Sequence, residues 1–165
     1  MSIIKQVFLK KSRNYKNAVK IKPKGLMIHS VGCNQPDAQV FLKTFDNPDL
    51  EKGVHGFIDN TDTLYQTLPF DYKAWHCGGS GNNSYIGIEL TEPATIEYKK
   101  NSNKFTDKNP KKSKAHVKAT YDTAVNIFAK LCVQYNLDPS KDGVILSHKE
   151  GHKRWIASNH GDPEH

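Results

Sequence analysis

Three residues far apart in this chain have the types and settings that could hold a metal ion. His29 closes the apolar run Gly25-Leu26-Met27-Ile28 and is followed by Ser30; His148 closes Val144-Ile145-Leu146, with Ser147 beside it. Each stretch reads as a short strand that finishes on a histidine. Two such strands side by side put both imidazoles on one edge of a sheet. Asp162 follows in the turn-forming context Gly161-Asp162-Pro163, from which a carboxylate can swing back to that edge. Two histidines, one carboxylate and an open fourth position is the ligand count of a hydrolytic zinc site; structural zinc sites use four protein ligands, mostly cysteine. The same histidines also read as ordinary hydrogen-bonded core residues, and spacing alone leaves both readings open.

A fourth group stands out in Tyr85-Ile86-Gly87-Ile88-Glu89-Leu90, a central-strand pattern interrupted by Glu89. A carboxylate in so apolar a strand is costly unless it is paired or functional. The elements that must position these groups follow from the rest of the chain. Residues 1–24 read as an N-terminal extension, closed by Lys22-Pro23-Lys24 before a first strand near 25–31. Asn34-Gln35-Pro36-Asp37 begins a helix with the apolar stripe Ala38, Phe41, Leu42 and Phe45, ended by Asn47-Pro48. His55-Gly56-Phe57-Ile58-Asp59 and Thr63-Leu64-Tyr65-Gln66-Thr67 flank a polar turn and read as a hairpin. Residues 70–84 are irregular, and the glycines around Gly78-Gly79-Ser80-Gly81 leave the backbone free to approach a ligand closely. Residues 97–114 read as a long exposed loop. A helix is expected over 115–136, stopped before Asp138-Pro139, and a strand over 144–148. The sum is a single α/β domain, a mixed central sheet flanked by helices, with the candidate ligands and Glu89 on its strands.

Composition bounds the partners. The 165 residues suffice for one domain with a proper core. No run of 18 apolar residues indicates a membrane span, and the start lacks the apolar length and small-residue cleavage site of a signal peptide. Synthesis in the cytoplasm without a signal peptide is therefore expected. The net charge of +7 comes from 22 lysines and two arginines, Arg13 and Arg154. Readers of nucleic-acid bases lean on arginine for bidentate contacts, so this surface better suits diffuse attraction to a polyanion, such as nucleic-acid backbone or an anionic cell-wall polymer, or is simply solvated. Cys33, Cys77 and Cys132 are widely spaced and indicate neither a disulfide framework nor a cysteine-rich zinc site.

Several stretches in order carry a family resemblance. His55-Gly56-Phe57-Ile58-Asp59 through Thr63-Leu64-Tyr65-Gln66, Ala74-Trp75-His76-Cys77-Gly78, Ile86-Gly87-Ile88-Glu89-Leu90 and Ser158-Asn159-His160-Gly161-Asp162-Pro163 together resemble the type 2 N-acetylmuramoyl-L-alanine amidases. These are the zinc amidases of bacterial autolysins and phage endolysins, related to the peptidoglycan recognition proteins. The resemblance runs from about residue 25 to the end. It implies one zinc in a surface groove and cleavage of the amide between N-acetylmuramic acid and the first L-alanine of the stem peptide. It also implies His29, His148 and Asp162 as ligands and Glu89 as the catalytic acid/base. His160 stands where relatives often carry an oxyanion-stabilising lysine, and Trp155 where a small residue is expected. The chemistry agrees: amide hydrolysis needs an activated water, a proton carrier and a donor facing the oxyanion, and zinc, Glu89 and His160 fill those roles.

Trp75 and His76 are expected to contact the muramyl peptide. His55 reads as structural, and His116 and His152 as surface residues. The chain's end directly after the metal motif suggests a catalytic domain cut before a C-terminal wall-binding module. A monomer acting at the bacterial cell wall, with neither nucleic acid nor membrane as partner, is the expectation. Two rivals remain: a non-catalytic peptidoglycan binder, against which Glu89 speaks, and a basic metal nuclease suggested by Asn159-His160, which leaves Glu89 and the Trp75-His76 loop unexplained.

Overall fold

The computed structural model describes residues 2–159 and residue 162. In chain order the elements are β1 (Ile3–Gln6), α1 (Arg13–Asn17), β2 (Gly25–Ser30), α2 (Ala38–Phe45), β3 (Gly56–Ile58), β4 (Thr63–Gln66), a 3₁₀ turn at Ser80–Asn83, β5 (Tyr85–Leu90), β6 (Ile96–Tyr98), β7 (Phe105–Asp107), α3 (Pro110–Tyr135), β8 (Ile145–Ser147) and α4 (His148–Lys153). Six strands form one sheet in the order β1-β4-β3-β5-β2-β8. The β3–β4 hairpin is antiparallel and the other neighbouring pairs are parallel. The mixed sheet with flanking helices is as expected.

Side chains alternate across a strand, so the sheet has two differently used faces. On one, Leu26, Ile58, Ile86 and Ile88 pack against Ala124, Ile127, Phe128 and Leu131 of α3. On the other, Met27 meets Cys77 and Ala157, and Phe57 meets Ala38 of α2. Burial on both faces explains why β2 and β5 are apolar up to His29 and Glu89. The second face is the one that carries His29 and Glu89. These two are directly opposite each other in the β2–β5 register, and Phe57 is opposite Glu89 on β3.

Four expectations need correcting. Within 97–114, read as a loop, β6 and β7 pair as a small antiparallel hairpin, and α3 starts at Pro110. Asn109 caps Lys112, and proline occupies the first turn, where its missing N–H costs nothing. The last strand stops at Ser147 because Ser147 and Glu150 form a capping box, which makes His148 the first residue of α4. His116, expected at the surface, is buried with Nε2 3.0 Å from the Thr91 carbonyl. Residues 3–6, inside the stretch read as an extension, add the edge strand β1 to the sheet.

Candidate metal centre and active site

The parallel strands β2, β5 and β8 end at one edge of the sheet, where parallel-sheet folds gather their ligand sites. Ile28 on β2 is opposite Ser147 on β8, so His148 follows one step on, beside His29. The sheet register thus sets His29 and Glu89 side by side on β2 and β5, with His148 one residue beyond the end of β8. Asp162 returns from the chain's end and closes the group: the ligand atoms of His29, His148 and Asp162 all lie within 4.8 Å of one another.

The donor chemistry of this cluster can be worked out from its partners. His148 Nε2 is 2.9 Å from the Ser158 carbonyl oxygen. A carbonyl only accepts, so Nε2 carries the hydrogen and Nδ1 is a bare lone pair in the neutral ring. The same logic runs through a second chain: His76 Nε2 donates to the Tyr85 carbonyl at 3.1 Å, which leaves His76 Nδ1 to accept from His29 Nε2 at 2.9 Å. His29 Nδ1 is then bare as well. It lies 2.7 Å from Asp162 Oδ2 and 3.2 Å from His148 Nδ1, and the third edge, His148 Nδ1 to Asp162 Oδ2, is 3.6 Å.

Three electron-pair donors therefore converge on one point, an arrangement suited to a cation. A proton would make one ring an imidazolium, but burial pushes the His29 pKa down, against the opposing pull of Asp162. A metal fits better. Ligands about 2.0–2.1 Å from a tetrahedral ion are separated by about 3.4 Å, close to the two edges at 3.2 and 3.6 Å that His148 makes, while the His29–Asp162 edge of 2.7 Å is shorter. Two imidazoles and a carboxylate suit zinc and leave a fourth position open.

The loop after Trp75 frames this centre. Asn82 Oδ1 accepts from the backbone N–H groups of His76 and Cys77 at 3.0 and 2.9 Å. The Cys77 carbonyl takes the Ser158 N–H at 2.8 Å, so one short loop steadies His76 and also the residue that orients His148. The glycines here serve the protein's own backbone. A Cβ on Gly79 would lie 2.5 Å from the Ile156 carbonyl oxygen, and one on Gly81 would lie 3.0 Å from the same atom. The close approach that these glycines allow is thus to residues 156–157.

Glu89 lines a cleft of about 450 Å³ together with Asp162, Trp75, His76, Phe41 and Lys52. Its Oε2 is buried without a hydrogen-bond partner among the described residues. Burial, and next the Asp162 charge, raise its pKa to about 8, while Lys52 pulls it down. A second hollow of about 390 Å³, lined by Ile28, Leu90, Val117 and Tyr121, meets the same centre at Asp162 and His29. The two hollows share Ser30 and Asp162 and so meet at the edge of this cluster.

The sequence-derived residues His29, His148, Asp162, Glu89, Trp75 and His76 all come together here. His160 lies outside the described residues. Trp155 is fully out in solvent on a left-handed backbone (φ 61°) and lines neither hollow. Lys52 was missed: it is one lysine among 22, with nothing in its neighbours to mark it. Glu92 was missed too. It is buried and receives hydrogen bonds from Ser30, the Gly32 N–H and Tyr98, which brace the end of β2.

Comparisons with known proteins agree with this geometry. The profile of the N-acetylmuramoyl-L-alanine amidase family matches residues 19–165. The N-acetylmuramoyl-L-alanine amidase CwlH of Bacillus subtilis is 30% identical over 106 residues, 61% of this chain and 42% of that protein. The amidase XlyA of the same organism is 31% identical over 100 residues, 58% of this chain and 33% of its own. The chain thus spans less than half the length of these relatives. Among solved structures, a mutant endolysin from Bacillus subtilis superposes with a TM-score of 0.70 at 24% identity, over 94% of this chain and 90% of that one. The Staphylococcus aureus hydrolase AmiA, solved with its ligand, gives 0.72 at 21% identity, over 98% and 72%. At such identities these structures establish the fold. With the family profile covering nearly all of the chain from β2 onward, and the resemblance carried by the loop and strand motifs, the chain belongs to the N-acetylmuramoyl-L-alanine amidase family.

Proposed function

We propose that this chain hydrolyses the amide between N-acetylmuramic acid and the L-alanine of the stem peptide in peptidoglycan, using zinc held by His29, His148 and Asp162. The observation that carries this reading is the convergence of two bare Nδ1 atoms and one carboxylate oxygen beside the unpartnered Oε2 of Glu89. Zinc bound there would supply Lewis acidity, lowering the pKa of a water to about 7 and polarising the amide carbonyl.

The chain's own residues supply the rest. Glu89 accepts the proton of the attacking water and returns it to the leaving nitrogen. Its raised pKa holds it close to neutrality, where a group that both takes and gives a proton works best. Trp75 offers the substrate a broad apolar surface in the cleft that Glu89 lines. His160 is assigned to face the oxyanion, on its resemblance alone. The retained Glu89 speaks against a binding-only relative, which would have no use for a buried, unpartnered carboxylate. The lysine excess supports attraction to anionic wall polymers, weakened by salt, and the bacterial cell wall is the place of action.

Mass analysis of the products from purified peptidoglycan tests this. Stem peptides starting at free L-alanine, and glycan strands that keep their lactyl carboxylate, are the expected products. Cleavage within the glycan or inside the stem peptide would contradict the reading.

A further inference from the structure

We propose that His76 is a positioning residue for the metal centre: it locks His29 in the tautomer that carries its hydrogen on Nε2, so that Nδ1 is always free to bind the ion. This rests on the zinc reading above and deepens it.

The argument is one of donors and acceptors. The Tyr85 carbonyl oxygen lies 3.1 Å from His76 Nε2 and has no hydrogen to give. It therefore fixes the His76 proton on Nε2 and turns His76 Nδ1 into an acceptor. That acceptor lies 2.9 Å from His29 Nε2, and the two rings meet edge-on at 82°, as suits an N–H of one ring aimed at its neighbour. Neutral imidazole in water exchanges its proton between the two nitrogens. In the Nδ1–H form His29 would donate to Asp162 Oδ2 at 2.7 Å instead, but it would set two bare nitrogens, His29 Nε2 and His76 Nδ1, against each other in a buried space, a cost that the Nε2–H form avoids.

The surroundings are shaped for this ring. A Cβ on Gly87 would lie 2.4 Å from His76 Cγ and Nδ1, so the glycine in the centre of β5 is the seat of the imidazole. The side chain of Asn82 holds the backbone of His76 and Cys77 from the other side. His55 cannot compete for the His76 ring, since its own nitrogens are taken by the Tyr72 carbonyl and the Gly87 N–H. With both ring nitrogens engaged inside the protein, His76 has no polar ring atom left for substrate. Its line in the cleft is the back wall of the metal centre. Partners of this kind orient metal-binding histidines generally, and their loss weakens metal affinity by about 10–100-fold.

The test combines zinc affinity with the tautomer itself. In metal-free protein, ¹⁵N shifts of the His29 ring should show hydrogen on Nε2 and a bare Nδ1. His76→Asn, whose Oδ1 can stand near the Nδ1 position, should keep that tautomer and bind zinc within a few-fold of wild type in competition with a chelating dye. His76→Leu should give a mixed tautomer and about 10–100-fold weaker zinc binding. A wild-type His29 protonated on Nδ1 overturns the inference without any variant. So does a folded His76→Leu protein with unchanged tautomer and affinity. Wild-type protein that shows the tautomer yet binds no zinc would instead sink the metal reading.

Discussion

At the scale of single residues, the centre is defined by which atoms carry hydrogens. His29 and His148 each present a bare Nδ1 because Nε2 is committed, to His76 in one case and to the Ser158 carbonyl in the other. Removing one ligand leaves two, too few for a stable site, so His29→Ala and Asp162→Ala should each lose stoichiometric zinc on elemental analysis, with activity down by orders of magnitude. Glu89→Gln should separate binding from chemistry. Zinc content stays, and turnover on peptidoglycan falls by about 10²–10⁴-fold, because the amide keeps the shape and cannot accept the proton. Near-normal turnover in that variant would move the proton-carrier role elsewhere. His160→Ala should likewise keep zinc and lose about 10²–10³-fold, the usual cost of one oxyanion donor. The ligand types and Glu89 were legible in the sequence because histidine and glutamate are conspicuous at the ends of apolar strands. Lys52 was not, since its place beside Glu89 is made by folding alone.

At the scale of elements, three parallel strands and one loop do the positioning. The register of β2 with β5 sets His29 opposite Glu89, and a slip of one residue by either strand would send its own side chain of this pair to the face covered by α3. The loop 75–83 reaches both histidine partners, through His76 and through the Cys77–Ser158 hydrogen bond. Gly79→Ala puts a methyl group 2.5 Å from the Ile156 carbonyl oxygen, so residues 156–158 must shift. The expected result is about 1–3 kcal/mol of lost stability in denaturant melts and weaker zinc binding, although no ligand is changed. Unaltered zinc affinity in that variant would disconnect the loop from the centre. The hairpin β3–β4 and helix α2 were readable from turn chemistry and apolar spacing. The β6–β7 pair was not, because its short strands lie in a polar, lysine-rich stretch where cross-strand pairing leaves no periodic mark. The capping box at Ser147 and Glu150 was present in the sequence and went unread, which is why His148 was expected at the end of a strand.

At the scale of the whole molecule, buried titratable groups give the metal-free protein a narrow pH range. Burial lowers the pKa of His55 to about 4 and lowers those of His29 and His76. The unfolded chain binds these protons near pH 6.5 and the native one does not, so stability is lost as pH falls from about 6.5 towards 4. Glu89 acts in the opposite sense. Its native pKa of about 8 exceeds the unfolded value, so the stability it contributes is present below about pH 4.5 and is lost as pH rises through 8. Metal-free protein should be most stable near pH 6–7 in thermal melts. Glu89→Gln should flatten the alkaline side by an amount on the order of 1–2 kcal/mol. A wild-type optimum above pH 8 would contradict these assignments. Zinc at 1,000 times its Kd should add about 4 kcal/mol, provided it binds the native state alone.

The measurement closest to the central claim counts new L-alanine amino termini in purified peptidoglycan, using one preparation of the protein stripped of metal and the same preparation after one equivalent of zinc. The account predicts few new termini before zinc and steady release after it. Equal release in both, or none with zinc bound, would contradict it.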